Sequence, residues 1–261
     1  MDKEKLTSFI KNVELKKTII KNLSKAEGVI DNYDIRNTDF MNPFEKKNLI
    51  SILKGLDSIG FRECSPSAMP ERSIIQIFPE YIAEESLEKP YDIIKISGNF
   101  KFNKLSHRDY LGALLALGIK REKLGDINVH EDCAYIIADK NVSHYIMFNL
   151  TSINKASITA KIIDEDDFEE SIPNYQEKII TTSSRRADAV VSEIFNLSRA
   201  KIQEYILKER LYVDFELFTT NSREIKDGSL ISLKGYGRAI FDEVISETKK
   251  GKMRARVKKV L

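Results

Sequence analysis

The strongest constraint on this chain lies in its last third, where RADAVVSEIFNLSRAKIQEYILKERLYVDFE is followed, a few residues on, by REIKDGSLISLKGYGR. Apolar residues recur at helical spacing after Arg186 and again after Ser198, while residues 211–215, 230–234 and 240–245 read as short strands. The pattern predicts one small unit over residues 181–261, with two short helices and a small sheet.

Cations in this unit stand at particular places. Ser198 is expected to cap the helix that begins at Arg199, which puts Arg199 and Lys201 in a first turn whose free backbone N–H groups already favour anions. Asp188 suits the positive start of the preceding helix, whereas Arg186 beside it needs a counter-charge. Lys208 closes the second helical pattern, and Lys234 and Arg238 flank Gly235-Tyr236-Gly237, whose glycines allow a turn or a close approach by a partner. From Lys249 the tail holds Lys250, Lys252, Arg254, Arg256, Lys258 and Lys259 without an acid. As a strand it would place Arg254, Arg256 and Lys258 on one face, a ladder suited to a phosphate backbone; a solvated, frayed tail is the ordinary alternative.

The formal net charge of +2 conceals a division. Residues 181–261 hold 17 Lys/Arg against 11 Asp/Glu, whereas residues 1–180 hold 25 against 29. A local basic excess points to a polyanionic partner for the C-terminal end.

Length and composition bound the rest. With 261 residues the chain is long enough for two or three domains, and 42% hydrophobic with 31% charged residues is a globular composition. No apolar run approaches the ~20 residues of a membrane helix, and MDKEKLTSF lacks the continuous apolar core of a secretory signal. A cytoplasmic protein with no membrane association is expected. Cys64 and Cys133 stand far apart, with no second Cys or His at ligand spacing, so no disulfide, metal site or cofactor is expected.

Three further segments precede the C-terminal unit. Residues 4–22 carry apolar side chains near helical spacing, and Asn42, Pro43 and Glu45 form a helix start with a capping box. With a strand at 73–78 they predict a mixed N-terminal domain over 1–85. Residues 91–100, 106–117, 126–130, 134–138, 142–150 and 157–163 then alternate as β-α-β-β-α-β, the order of a ferredoxin-like unit over 86–164 that both RNA-recognition modules and metabolic enzymes use. The acidic run at 164–170 and Pro173 predict a solvated linker over 165–180. His107-Arg108-Asp109 resembles a kinase catalytic loop, but no Asn follows at the right spacing, and there is no Asp-Phe-Gly and no Gly-rich loop, so a kinase is excluded.

Over residues 184–245 the arrangement resembles the S4 RNA-binding domain. The helix-start Arg and Asp of that pattern fall on Arg186 and Asp188, its Ser-Arg pair on Ser198 and Arg199, and its Gly-x-Gly-Arg end on Gly235, Gly237 and Arg238. Ala187, Lys208-Glu209-Arg210, Asp214 and Gly228-Ser229 depart from it. HRDYLGALLALGIKREKLGDI, with Thr38-Asp39-Phe40-Met41-Asn42-Pro43 and Glu71-Arg72 upstream, extends the resemblance to the bacterial YlmH-type S4 proteins across essentially the whole chain.

That resemblance implies an α+β protein with a mixed N-terminal domain, a ferredoxin-like, RRM-like central domain and a C-terminal S4 (αL-type) domain. It implies a non-catalytic RNA-binding protein of the large ribosomal subunit and transfer RNA, acting in rescue of stalled translation, and a monomer is expected. Arg186, Ser198, Arg199, Lys201, Lys208, Lys234, Arg238, Arg254 and Arg256 are the expected RNA contacts. An RNA-modifying enzyme with an appended S4 unit, or a protein–protein adaptor in cell division working through the acidic first 180 residues, are the alternatives. The enzyme would need a Gly-rich nucleotide or methyl-donor loop, and none follows a strand here.

Overall fold

The computed structural model describes residues 1–100, 104–220 and 223–260. The chain is a mixed α/β protein with seven α-helices and three sheets among the described residues, and it divides into two compact units, 1–171 and 172–261.

The first unit opens with α1 (Lys3–Leu6) and α2 (Val13–Asn32). One helix over 4–22 is expected from the apolar spacing, but the chain breaks there. The Thr7 hydroxyl returns to the Lys3 carbonyl (2.7 Å), and the Asn12 side chain accepts from the Leu15 N–H (2.9 Å), starting a new helix. Next come β1 (Arg36–Asn37), α3 (Pro43–Leu53), β2 (Ile59–Cys64) and β3 (Ile74–Pro79). The capping box at Asn42 forms as expected: Asn42 accepts from the Glu45 N–H (3.0 Å) and Glu45 accepts from the Asn42 N–H (2.8 Å). Gly60 lies inside β2, where its cross-strand partner Phe78 sets its ring in the space a Cβ would take.

The unit continues with β4 (Tyr91–Gly98), α4 (His107–Ala116), β5 (Leu124–Val129), β6 (Cys133–Asp139), α5 (Lys140–Asn149), β7 (Ser152–Ile153) and β8 (Ala156–Ile163). The strands form an antiparallel sheet in the order β5-β6-β4-β8-β7. On one side of the sheet, Ile94, Ile96, Ala134 and Ile136 pack with Tyr110 and Leu114 of α4 and Ile146 of α5. On the other, Tyr91, Ile93, Cys133, Tyr135 and Ile137 pack with Phe40, Cys64 and Ile74 from the N-terminal portion. The segments expected as separate domains over 1–85 and 86–164 thus share one unit, because the second sheet face is apolar and must be covered.

The second unit contains β9 (Tyr175–Thr182), α6 (Ala187–Phe195), α7 (Arg199–Leu207), β10 (Leu211–Val213), β11 (Glu216–Leu217), β12 (Ser229–Leu233), β13 (Gly237–Glu247) and β14 (Met253–Val260). Its sheet runs β11-β10-β12-β13-β14-β9, antiparallel throughout. The end of the expected linker is corrected here. Tyr175 to Thr182 pairs along the whole of β14, since Ile180 and Thr182 alternate inward where Ala255 and Val257 also point. The basic tail is a strand inside the sheet rather than a frayed end. Val190, Val191 and Ile194 of α6 and Ile202 and Ile206 of α7 cover one sheet face through Leu211, Ile231, Phe241 and Val257.

Candidate nucleic-acid interface

The start of α7 forms as its sequence requires. The Ser198 hydroxyl accepts from the Lys201 N–H (3.2 Å), while the Arg199 guanidinium donates to the Ser183 hydroxyl (2.6 Å) at the beginning of the β9–α6 connection. Arg186 stands as the residue before α6 and finds its counter-charge next door, since its Nε lies 3.2 Å from Oδ1 of buried Asp188. Burial pushes the Asp188 carboxyl up, but the Arg186 and Gln203 hydrogen bonds overcome this and hold it below the usual carboxylate range. The Gln203 bond (3.4 Å) ties the middle of α7 to the start of α6, on the side of α7 where Arg199 stands one turn earlier, so Arg186, Ser198 and Arg199 belong to one basic corner.

Lys201 and Lys208 share a single acid. Glu204 accepts from Lys201 (2.8 Å) and Lys208 (2.7 Å), and these two bonds hold its carboxyl down at about 2. Exposed pairs of this kind exchange readily for another anion.

Lys234 and Arg238 lie elsewhere, on the sheet face opposite the helices. The Lys234 ammonium is 4.8 Å from the centre of the Tyr212 ring, and the Arg238 guanidinium is 5.9 Å from that of Phe215. Tyr212 pairs with Ser232 and Ser232 with Arg238, which sets these groups in one row across β10, β12 and β13. Asp214 and Phe215 make the β10–β11 turn with φ of 50° and 65°. An aromatic residue at positive φ is strained, and here its ring lies against Arg238.

On β14 the alternation predicted from the sequence holds: Ala255 and Val257 are buried, and Arg254, Arg256 and Lys258 face the other way. The ladder is partly neutralised within the sheet, however. Arg256 pairs with Glu243 (2.9 Å) and Lys258 with Asp242 (3.0 Å), while Arg254 is exposed between Ser246 and Thr181. The single footprint implied by the sequence is therefore two surfaces. One is the helix surface, with Arg186, Ser198, Arg199 and Lys201 near the helix starts and Lys208 at the far end of α7. The other is the outer sheet face, with Lys234, Arg238, Arg254 and Arg256.

Arg210 and Tyr236 escape the sequence reading. Arg210 lies over the Tyr205 ring (4.7 Å) and donates to the Lys234 carbonyl (2.6 Å), and the Tyr236 and Tyr205 hydroxyls hydrogen-bond (2.8 Å). The available signal was a lone aromatic residue between two glycines at a turn.

In the central sheet, β6 is buried along its whole length, and Tyr135 is packed edge-on between His130 (5.4 Å) and Phe168 (5.6 Å). RNA-recognition sheets that stack bases present aromatic rings to solvent on the middle strands. Here that face is occupied by the protein's own chain.

These surfaces belong to a mixed α/β protein whose residues 88–167 are matched by the family described as "Putative RNA-binding domain in YlmH". The chain is 29% identical over 226 residues to "Ribosome-associated protein quality control protein P2" of Bacillus subtilis (strain 168), covering 87% of this chain and 88% of that one. "Cell division protein ylmH from Streptococcus pneumoniae" shares the fold over 60% of this chain and 96% of its own, with a TM-score of 0.52 at 22% identity. The resemblance to YlmH-type proteins drawn from the sequence is upheld by all three likenesses. No helix among the described residues is long and apolar enough to cross a membrane.

Proposed function

We propose that this chain is a non-catalytic, ribosome-associated RNA-binding protein that grips structured rRNA and tRNA of the large subunit during quality control of stalled translation. The observation that carries this reading is the start of α7, where a Ser198-capped helix N-terminus holds Arg199 and Lys201 in its first turn, with the Arg186–Asp188 pair joined to the same helix through Gln203. Backbone N–H donors and flexible cations at one point suit a phosphate. The basic excess confined to residues 181–261, the putative RNA-binding match over 88–167 and the ribosome-associated name of the B. subtilis relative support the same reading.

Topology supports the finer assignments. The strand order β5-β6-β4-β8 with α4 and α5 on one face suits a ferredoxin-like, RRM-like central unit, and the α6–α7 pair with β10, β12 and β13 suits an S4 (αL-type) unit. The protein acts as a cytoplasmic monomer in this reading. Phosphate contacts position a protein without reading sequence, so selectivity comes from RNA shape.

Sedimentation with purified large subunits, with and without bound peptidyl-tRNA and across a salt series, tests the reading. Salt-sensitive binding that Arg199→Ala weakens and the tRNA strengthens is expected. Lys3→Ala, at a residue paired with Glu27 (2.5 Å), should bind as the wild type. Equal losses from both substitutions would sink the assignment of the helix corner. Modified nucleosides appearing in the RNA would replace it with an enzyme.

A further inference from the structure

The β12–β13 connection is Lys234-Gly235-Tyr236-Gly237-Arg238, with φ of 89° at Gly235 and 107° at Gly237. The Tyr236 N–H donates to the Leu233 carbonyl (2.9 Å), so this is a tight reversal with a large aromatic side chain at its tip. Such a turn is satisfied by small or polar residues and has no need of a ring. Yet Tyr236 keeps 37% of its surface exposed. Its ring is braced from behind by Phe195 (centroids 6.3 Å apart, planes at 66°) and Tyr205 (5.5 Å, 49°), and the hydroxyl bond to Tyr205 restrains it further.

Positive charge stands beside the ring. The Arg210 guanidinium and the Lys201 ammonium lie over Tyr205 at 4.7 and 5.0 Å from its centre. Arg210 is fixed by its bond to the Lys234 carbonyl, while Lys201 comes from the first turn of α7. A braced, part-exposed ring with cations over the Tyr205 ring beside it is what an unpaired base and its flanking phosphates require, because the base offers a π-face and the phosphates a charge.

We infer that Tyr236 is a stacking platform for an unpaired nucleobase of the bound RNA, with Lys201 and Arg210 set to hold the adjoining phosphates. This rests on the RNA-binding reading above and adds a requirement to it: the RNA presents a splayed-out base in a bulge or loop. A base inside a continuous helix has both faces covered by its neighbours and is not taken. Every base has a π-face, so the platform selects for unpairing and tolerates any sequence.

The test uses the full chain and two RNA hairpins, one carrying a single bulged 2-aminopurine and the other fully paired. The wild type should bind the bulged hairpin roughly tenfold more tightly, with a fall in 2-aminopurine fluorescence. Tyr236→Leu keeps apolar contact with Phe195 and Tyr205 but removes the π-face. It should bind the paired hairpin as the wild type does and lose both the preference and the fluorescence change. Tyr236→Phe should retain both. If Tyr236→Leu keeps the preference, or the wild type shows none, while Arg199→Ala weakens binding to both hairpins, the platform is overturned and the phosphate-gripping corner stands. Failure of the wild type to bind either hairpin would overturn both.

Discussion

Asp214 shows how one side chain settles a local conflict. It stands at φ 50°, in the left-handed region where Asn and Asp are tolerated and other residues are strained. In the sequence it is a misplaced negative charge on a basic unit. In the structure its Oδ1 accepts from the Leu230 N–H (2.8 Å), and its own N–H donates to the Leu230 carbonyl (2.8 Å), tying the β10–β11 turn to β12. Asp214→Ala should lower the unfolding free energy of the C-terminal unit by about 1–2 kcal/mol, while Asp214→Asn should stay close to the wild type. Urea denaturation of the three proteins gives the comparison, and an Ala variant equal to the wild type would refute this role. At this scale caps were legible, because Asn42 and Ser198 act through neighbours three residues away. Arg210 and Tyr236 were not, because their partners come from distant parts of the chain.

At the scale of elements, the motifs that carry the family resemblance prove to build a charged seam within the first unit. Asp39, which precedes α3, accepts from Lys21 of α2 (2.7 Å) and pairs with Lys123 beside β5 (2.8 Å), and Lys123 also reaches Asp139 (2.7 Å). The Asp126 carboxylate accepts from the Glu71 and Arg72 N–H groups (2.9 and 3.0 Å), and the Arg72 guanidinium donates to the Phe40 carbonyl. Burial alone would raise the Asp39 carboxyl, but its two lysines hold it at about 2, whereas burial wins at Asp126 and lifts it to about 6. The signs are opposite. Asp39 contributes stability above its unfolded pKa of ~4 that is lost as pH falls through about 2, while Asp126 opposes folding at neutral pH and ceases to do so as pH falls from about 6 toward ~4. Asp39→Asn should cost about 2 kcal/mol at pH 7, discounted for the partly exposed lysines. The difference from wild type in thermal unfolding should shrink as pH drops from ~4 toward 2; a constant gap would show that the ion pairs do not carry it. The spacing of apolar residues made α3, β3 and the β-α-β-β-α-β order legible. It misled at β9, whose pairing partner lies far along the chain and whose own residues follow an acidic run.

For the whole molecule, the charge division visible in the sequence coincides closely with the division into units at 171/172. Ile172, at 92% exposed, marks a stretch of chain between the last contacts of Ser171 with Asn128 and the first residue of β9. Limited proteolysis should therefore cut first between residues 170 and 174, giving two resistant fragments, and early cleavage inside either unit would contradict the division. The covered face of the central sheet gives this scale its functional contrast. The expected β-α-β-β-α-β order is present, yet the sheet face opposite α4 and α5 is filled by Phe40, Cys64, Ile74 and Phe168. No pattern within residues 86–164 could announce that, since the covering side chains lie on either side of the span in sequence.

The pairing of β9 with β14 also sets an order of events as the chain leaves the ribosome. β9 is the first strand of its sheet to be made, and its partner, Met253–Val260, is the last, with both helices and four strands synthesised between them. Until that final segment emerges, Ile180 has no Ala255 or Val257 beside it, and β13 presents an open edge. Closing the sheet across so long a loop is a late and comparatively slow step. A nascent chain that lacks Met253–Val260 would hold α6 and α7 over an unfinished sheet, so the packing of this unit waits on β14.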